Sequence, residues 1–458
     1  MPLSPTLLGK RIRKLDVVRR LEDRPLAGKI FLVGGALREL ALGQSPHDYD
    51  FALENQRDIG VFEEVFGTRS FILGKKPIQT SRIVTPDLSI DLTDLEGTVE
   101  NDLLRRDFTI NAMAYDVRDR AFLDLLGGLA DIENRIIRYP RKESVQDDPL
   151  RMIKAARHLS ALPHFVLDDD LKRAMADHRS LVARTAPERI KYELDLLMTS
   201  AAPARGIDAL RQTGLLFEIV PELLPLGQLD REQGFTLETL GHTLDGFRYV
   251  PRVTRSHGFA ERERRLACYG LLFHDLGKPA TFSRDPGSGK VHFFYHERHS
   301  RDIAGPIMDR LRFSAADTRA IESLVENHMR LFLISAKEAT DRATRRVVYR
   351  MENLSPSLVF LTLLDLYGSS KGRDNASTRR VRRTCRQVLS AHREWSKEPL
   401  PRLVTGTDLL ALGYIEGPVI GRILGEVREK QIAGDMTRKE EALEYARQRV
   451  GESAPFSG

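Results

Sequence analysis

A chain of 458 residues has room for two to four domains and is too long for one compact globule. Charged residues make up 30% and hydrophobic ones 41%, the balance of a soluble globular protein. With no run of about 18 apolar residues and no basic-then-apolar leader, neither a membrane span nor a signal peptide is expected, and the cytoplasm is the expected place. The net charge of +6 is unevenly spread, because "RATRRVVYR" and "KGRDNASTRRVRRTCR" crowd basic residues between Arg342 and Arg386. That run leans toward a polyanionic partner, although a solvated helical face is the commoner fate of such a sequence.

In chain order, "KIFLVGGAL", "DYDFALE", "SRIVT" and "LSIDLTDL" are short β-branched or alternating runs bounded by Gly, Pro and Asp, and predict strands. The first 120 or so residues therefore read as α/β. From "DDPLRMIKAARHLSAL" onward the period turns helical, with Met152, Ala156 and Leu159 on one stripe and Arg151, Lys154 and His158 on another. Nearly everything beyond reads as helix. Breaks fall at "TSAAPARG" (199–206), at "RDPGSGK" (284–290) and at "SKEPLPRLVTG" (396–406), which predict a boundary, a loop within a domain and a linker. Cys268 and Cys385 lie far apart in no metal-like spacing and read as reduced core thiols.

Asp48 and Asp50 flank Tyr49, and alternate residues of a strand share a face, so both carboxylates can meet one ion. Hard oxygen donors at this spacing suit Mg²⁺ together with substrate phosphates. Gly34 and Gly35 end the preceding strand where bare N–H groups can approach a triphosphate, and Arg38 adds a forked donor. Asp91 reads either as a third carboxylate for two-metal transfer or as a strand-end aspartate. Arg105, Arg106, Asp107 and Asn111 suggest a clamp for ribose and phosphate, with an arginine-lined strand edge as the alternative. Asp148 precedes Pro149, so helix capping accounts for it. Asp148 and Arg151 also share a helical face, where an acceptor and a donor could read the Watson–Crick edge of a base.

These motifs in this order resemble the class II tRNA nucleotidyltransferase and bacterial poly(A) polymerase family. "GGALRE" with "DYD", "RRDFTINA", "LDLLGGLADI", "DDPLR" and "PERIKYEL" carry the resemblance from Phe31 to about Leu197, and "LVTGTDLLALGYIEGPVIGRIL" extends it toward the C-terminus. It implies an α/β nucleotidyltransferase head (a mixed sheet with helices) at 1–140. A helical neck for base and RNA follows at 141–225, then an HD-type metal-binding domain at 226–395 and a helical tRNA-binding tail at 396–458. By the same resemblance Asp48 and Asp50 hold Mg²⁺, while Asp91 stays either a third catalytic carboxylate or a strand-end aspartate. Gly34, Gly35 and Arg38 take the triphosphate, Arg105, Arg106, Asp107 and Asn111 the sugar, and Asp148, Arg151, Lys154 and Arg157 the incoming base. Glu39 and Lys154 depart from the family's usual Asp and Arg. The stretch between Asp91 and Arg105 is shorter than the flexible loop of complete CCA-adding relatives, and so resembles the branch that stops after two cytidines.

His242, the pair His274 and Asp275, His296 with His299, and His328 form a second constellation. "HDLGKP" resembles the HD phosphohydrolases, which implies His242, His274, Asp275 and Asp365 as ligands of a divalent transition metal. A degenerate HD fold whose histidines only pack is the alternative. The expected activity is tRNA 3′-end nucleotide transfer from CTP, and from ATP if addition runs to completion, with release of pyrophosphate. Arg379, Arg380, Arg382 and Arg383 are the expected RNA contacts. Poly(A) synthesis, HD phosphohydrolysis and a catalytically silent RNA-binding protein are the competing readings. The first is disfavoured because no arginine-rich run follows "DYD" and no long basic tail closes the chain. Oligomeric state is not legible.

Overall fold

The computed structural model describes residues 4–73, 79–95, 97–234, 237–397 and 401–450. The chain divides into two compact units, one of residues 1–201 and 205–219, the other of 202–204 and 220–458.

The first unit is built on a seven-stranded sheet. Its strands are β1 (Ile30–Val33), β2 (Asp48–Leu53), β3 (Phe71–Leu73), β4 (Thr80–Val84), β5 (Ser89–Asp94), β6 (Ala114–Asp116) and β7 (Ala121–Leu123), in the order β3-β4-β5-β2-β1-β6-β7. The β2–β5 pairing is parallel and the others are antiparallel. All four predicted strands are present, but β3, β6 and β7 were not foreseen. Each has three residues, too few for alternation to show in a sequence.

Apolar side chains from both faces fix the sheet. Phe31, Val33, Ala52, Ala112 and Ala114 pack with Val99 and Leu103 of the helix Val99–Leu104. Phe51 meets Phe62 edge-on at 5.1 Å on the helix Ile59–Phe66. Burial along β2 runs from exposed Asp48 through half-buried Asp50 to Phe51, Ala52 and Leu53 in the core. The acidic pair thus sits where the strand emerges from the apolar layer.

The chain beyond the head is mostly helical, as expected, with two short pairings that were not expected. Ile136–Ile137 pairs in parallel with Val166–Leu167, and a hairpin of Phe282–Arg284 and Val291–Phe293 carries "RDPGSGK" at its tip. Asp285 organises that tip by accepting from the backbone N–H of Gly287 and Ser288. Otherwise the second unit is helical, and its central helix Ser355–Ser370 is buried along nearly its whole length. That burial explains why the helix shows little amphipathic pattern. Cys268 and Cys385 are buried free thiols, as expected, and burial pushes both up to about 12. No described helix is long and apolar enough to cross a membrane.

Candidate functional site

In the first unit, β1 ends at Val33 and the chain enters the helix Gly35–Ala41 through Gly34, whose φ of +77° and ψ of −143° only glycine adopts without strain. A second constraint acts at the same residue. A Cβ placed on Gly34 would lie 2.9 Å from Asp50 Oδ2 and 3.1 Å from Arg106 Nη1. The turn is therefore pressed against the carboxylate. Gly34→Ala should depress the nucleotide addition that the sequence leads one to expect by about 10²-fold or more, since a misplacement near 1 Å at reacting groups costs that much. Steady-state rates with CTP, beside an unchanged circular dichroism spectrum, check this.

Asp50 pairs with Asp91, and Asp48 with Ser89, in the parallel β2–β5 register. Ser89 Oγ donates to Asp48 Oδ1. Asp91 is engaged by Arg82 of β4 through two hydrogen bonds of 2.6 Å each, from Nε and Nη2. Burial pushes the Asp50 carboxyl above its usual range, nearby Arg106 opposes this, and Asp91 and Asp48 push it further up. Three carboxylates sharing one sheet end, one of them resisting ionisation, form a donor set that a hard divalent cation would relieve.

Beside them runs a polar chain. Arg38 Nη1 donates to Asn111 Oδ1 at 2.6 Å, Asn111 Nδ2 donates to Asp107 Oδ1 at 2.9 Å, and Lys154 Nζ stands 3.8 Å from Asp107. Arg38 is largely buried, which lowers its pKa, and its Nε has no hydrogen-bond partner. A buried, unsatisfied guanidinium N–H is a site for an anion. Arg106 is held by Asp102 at 2.9 Å.

The second unit brings four histidines together. His242, His274, His296 and His328 each direct Nδ1 at a backbone carbonyl three or four residues back, at 2.7 to 3.0 Å. A carbonyl only accepts, so Nδ1 carries the proton and a neutral ring presents a bare Nε2. Those Nε2 atoms converge, His242 on His274 at 3.4 Å and His296 on His328 at 3.2 Å. Asp275 stands among them, 2.8 Å from His242, 3.2 Å from His274 and 3.4 Å from His296, and neither of its oxygens receives a well-formed hydrogen bond. Asp365 lies 3.8 Å from His242 and 3.7 Å from His274. Acceptor facing acceptor in a buried centre fits a metal ion.

The family model described as the poly A polymerase head domain matches residues 30–138. One described as a probable RNA and SrmB-binding site of polymerase A matches 164–226, and the HD domain matches 239–368. The chain is 34% identical to the CC-adding tRNA nucleotidyltransferase of Thermus thermophilus, over 93% of this chain and 95% of that one. It is 32% identical to the A-adding tRNA nucleotidyltransferase of Deinococcus radiodurans, over 93% and 96%. The chain belongs to the tRNA nucleotidyltransferase family. Its fold is that of the Bacillus stearothermophilus CCA-adding enzyme in complex with CTP, with a TM-score of 0.62 at 20% identity over 98% of this chain and all of the other.

As a tRNA nucleotidyltransferase, the chain places its expected base-reading residues on the helix Leu150–Ala161 and just before it, but their present partners were not foreseen. Asp148 Oδ2 accepts from Arg189 Nη2 at 3.0 Å, and Asp148 Oδ1 accepts from Leu150 N at 3.3 Å in the manner of a cap. Arg151 donates to the carbonyls of Ser144, at 3.2 Å, and Arg105. Arg157 pairs with buried Glu193 at 2.8 Å. Arg189 and Glu193 both belong to "PERIKYEL", so that motif braces the start and middle of the Leu150–Ala161 segment. In "LDLLGGLADI", Asp124 accepts from Gly128 N and Leu129 N and so caps the helix Gly128–Asn134.

His158 does not lie on the polar stripe. It is buried, with its ring edge-on to Phe108 at 5.4 Å and its Nε2 accepting from Arg157 at 3.0 Å. Burial, followed by the cations Arg157, Arg38 and Lys154, holds its pKa well below 6.5. Because the unfolded ring protonates more readily, its contribution to stability is complete above pH 6.5 and is lost as pH falls toward the depressed folded value. His158→Leu should therefore flatten the decline in melting temperature measured from pH 6.5 to 5.

In the histidine centre, His296 and His328 stand beside the expected ligands, and Lys278 lies 2.6 Å from Asp275 as its counter-charge. His299 lies outside it, with its Cβ against Gly277. Burial would raise the Asp275 carboxyl, but His274 and Lys278 outweigh it and hold it well below its usual range. The centre also depends on a close backbone contact. A Cβ on Gly368 would lie 2.4 Å from the His242 carbonyl and 3.0 Å from Gly246 N. Of the expected RNA contacts on the helix Ala376–Lys397, Arg382 is 2.6 Å and Arg379 3.7 Å from Asp374, and Arg383 is 3.6 Å from Glu338. Arg380 shares a small cavity with Arg383.

Proposed function

We propose that this tRNA nucleotidyltransferase adds two cytidines to the tRNA 3′ end and stops. The observation that carries the stopping point is the connection after β5. The strand ends at Asp94 and the next helix opens at Val99, capped by Thr98, which leaves residues 95–98 between them. Glu96 lies outside the described residues. A four-residue connection offers no lever to re-aim the base-reading residues for a second nucleotide, whereas complete CCA-adding relatives carry a longer loop there.

Asp48 and Asp50 would hold Mg²⁺, which when bound supplies Lewis acidity to the 3′-hydroxyl and the α-phosphate. Asp91, fixed by Arg82, keeps the local charge negative beside them. The N–H groups at Gly34 and Gly35 and the unsatisfied Nε of Arg38 take the triphosphate. Arg105, Arg106, Asp107 and Asn111 orient the sugar. Asp148 can accept from the cytosine amino group while Arg151 donates to its ring acceptors, with Lys154 and Arg157 alongside. Head, neck, HD domain and tail, at 1–140, 141–225, 226–395 and 396–458, divide these tasks, and residues 398–400 of the expected linker lie outside the described residues.

Transcripts ending at the discriminator base, at C and at CC, each offered CTP or ATP with Mg²⁺, test the reading. Two cytidines on the first and little ATP use on the last are expected. Efficient ATP addition to the CC-ended transcript would overturn the CC assignment. The arginines at 379, 380, 382 and 383 are assigned to the tRNA body, so reversing their charge should raise the KM for tRNA several-fold and leave that for CTP unchanged.

The convergent bare nitrogens favour a second reading alongside the first. His242, His274, Asp275 and Asp365, joined by His296 and His328, would hold divalent transition metal, which when bound supplies an activated water for phosphoester hydrolysis.

A further inference from the structure

Two neighbouring cavities in the second unit share one wall. The smaller, about 290 Å³, is walled by Val348, Tyr349 and Trp395, with Arg345 and Glu394 at its polar edge. The larger, about 600 Å³, is lined by Arg330, Arg346 and Arg350, by Glu429, and again by Tyr349. An aromatic slot thus opens beside an arginine basin. The slot is near the lower end of the ~300–1,000 Å³ typical of small-ligand pockets.

Tyr349 is held in place rather than free to swing. Arg428 lies over its ring, 4.4 Å from the centroid, and donates through Nε to its hydroxyl. Arg428 is itself anchored on Gln431 at 2.6 Å and on the Pro401 carbonyl at 2.8 Å. In the basin, three guanidinium groups face one carboxylate, a net charge of about +2. Only Arg346 pairs with Glu429, at 3.1 Å, and Arg350 has no hydrogen-bond or ion-pair partner among the described residues. Arg330 is half-buried and donates to Asn327, and its pKa is lowered by that burial and by Arg350 beside it, with Glu326 opposing. Like charges crowded in this way call for an anion.

We propose that this double cavity binds one unpaired nucleotide of the RNA substrate, its base in the Tyr349–Trp395 slot and its phosphate on Arg330, Arg346 and Arg350. A base within a duplex is already stacked and cannot enter, whereas an extruded one finds an aromatic platform with a cationic flank. Arg345 and Glu394, a donor and an acceptor at the slot's edge, can meet the base's own polar edge. The inference rests on the tRNA reading above for its substrate, but it concerns a subsite separate from the carboxylates of the first unit.

Trp395 is the chain's single tryptophan, so its fluorescence reports on the slot. Full-length protein is titrated with tRNA transcript, a single-stranded hexanucleotide, a blunt duplex and nucleoside monophosphates. Quenching by the transcript and the hexanucleotide, weakening as salt rises, with little response to the duplex, is expected. Trp395→Ala and Arg350→Glu should each raise the KM for tRNA about tenfold, with kcat and the KM for CTP unchanged. Trp395→Phe should largely restore affinity, and circular dichroism confirms that each variant is folded. The subsite is overturned by equal quenching with the duplex, by a response to free nucleotide alone, or by an unchanged KM in folded Trp395→Ala. Failure of the wild type to extend any transcript would instead sink the tRNA reading.

Discussion

Asp50→Ala and Asp50→Asn are each expected to lower CTP incorporation by about 10³-fold or more, while tRNA binding stays within about twofold of wild type. The lost group is one of two carboxylates that emerge together at the end of β2, with Asp91 of β5 in register beside Asp50. Asp48→Ala should have the same catalytic effect, but the two should differ in stability. Asp50 is pressed against Gly34 and its pKa is raised chiefly by burial, so in the metal-free protein its ionised form opposes folding at neutral pH. The sign follows from linkage. A carboxyl whose folded pKa exceeds its unfolded value costs stability as pH rises through that value. Asp50→Asn should therefore melt about 2 °C above wild type at pH 7 without metal, whereas exposed Asp48→Asn should not. Scanning calorimetry in chelator, beside single-turnover incorporation, tests both halves. Normal incorporation by either variant would remove the pair from the mechanism.

Asp275→Ala should empty the histidine centre and leave nucleotide addition intact. The carboxylate is the buried counter-charge for Lys278 and lies within 3.4 Å of three imidazole nitrogens, so its removal takes the proposed ligand and the neutralising charge together. Breaking a buried pair of this kind costs about 3 kcal/mol, so the second unit should also lose heat stability. Asp275→Asn, which keeps the shape, separates ligation from packing. Elemental analysis of purified protein should show bound transition metal in wild type and less than about a tenth of it in either variant. Hydrolysis of a nitrophenyl phosphodiester should vanish with it. Metal retained at the wild-type level would exclude Asp275 as a ligand. Loss of CTP addition in a folded variant would show that the two centres are not independent.

What could be read in advance was whatever a short stretch of chain determines by itself. Asp48 and Asp50 declare a shared face through their spacing, and the glycine pair declares a turn. Arg82 could not be read, because its meeting with Asp91 depends on the β4–β5 register, which pairs residues nine apart through a turn of unpredicted length. His296 and His328 were visible as members of the constellation, but their meeting with each other could not be read. They are 32 residues apart, and only the packing of the helices His296–Arg310 and Ala315–Asn327 brings their Nε2 atoms together. The available signal was positional, since His274, His296 and His328 all stand at or beside a helix end, where a ring can reach back to a carbonyl. His158 misled for a related reason. Its period assigns it to the polar stripe, but Phe108 and Arg157 give a neutral ring enough contact to be buried.

The contact at Gly368 has a consequence for how this chain can change over time. The helices Thr239–Gly246 and Ser355–Ser370 touch main chain to main chain there, and each carries a residue of the histidine centre one turn or less from the contact. The separation of His242 from Asp365 is thus held at the closest approach of two backbones, which only a residue without a β-carbon at 368 allows. Drift among those side chains, even extensive drift, leaves the separation where it is. Any residue with a β-carbon at 368 would push the helices apart at the contact that sets the centre's spacing. The centre is therefore robust against most of the mutations that could reach it and brittle at one position that bears no chemistry of its own.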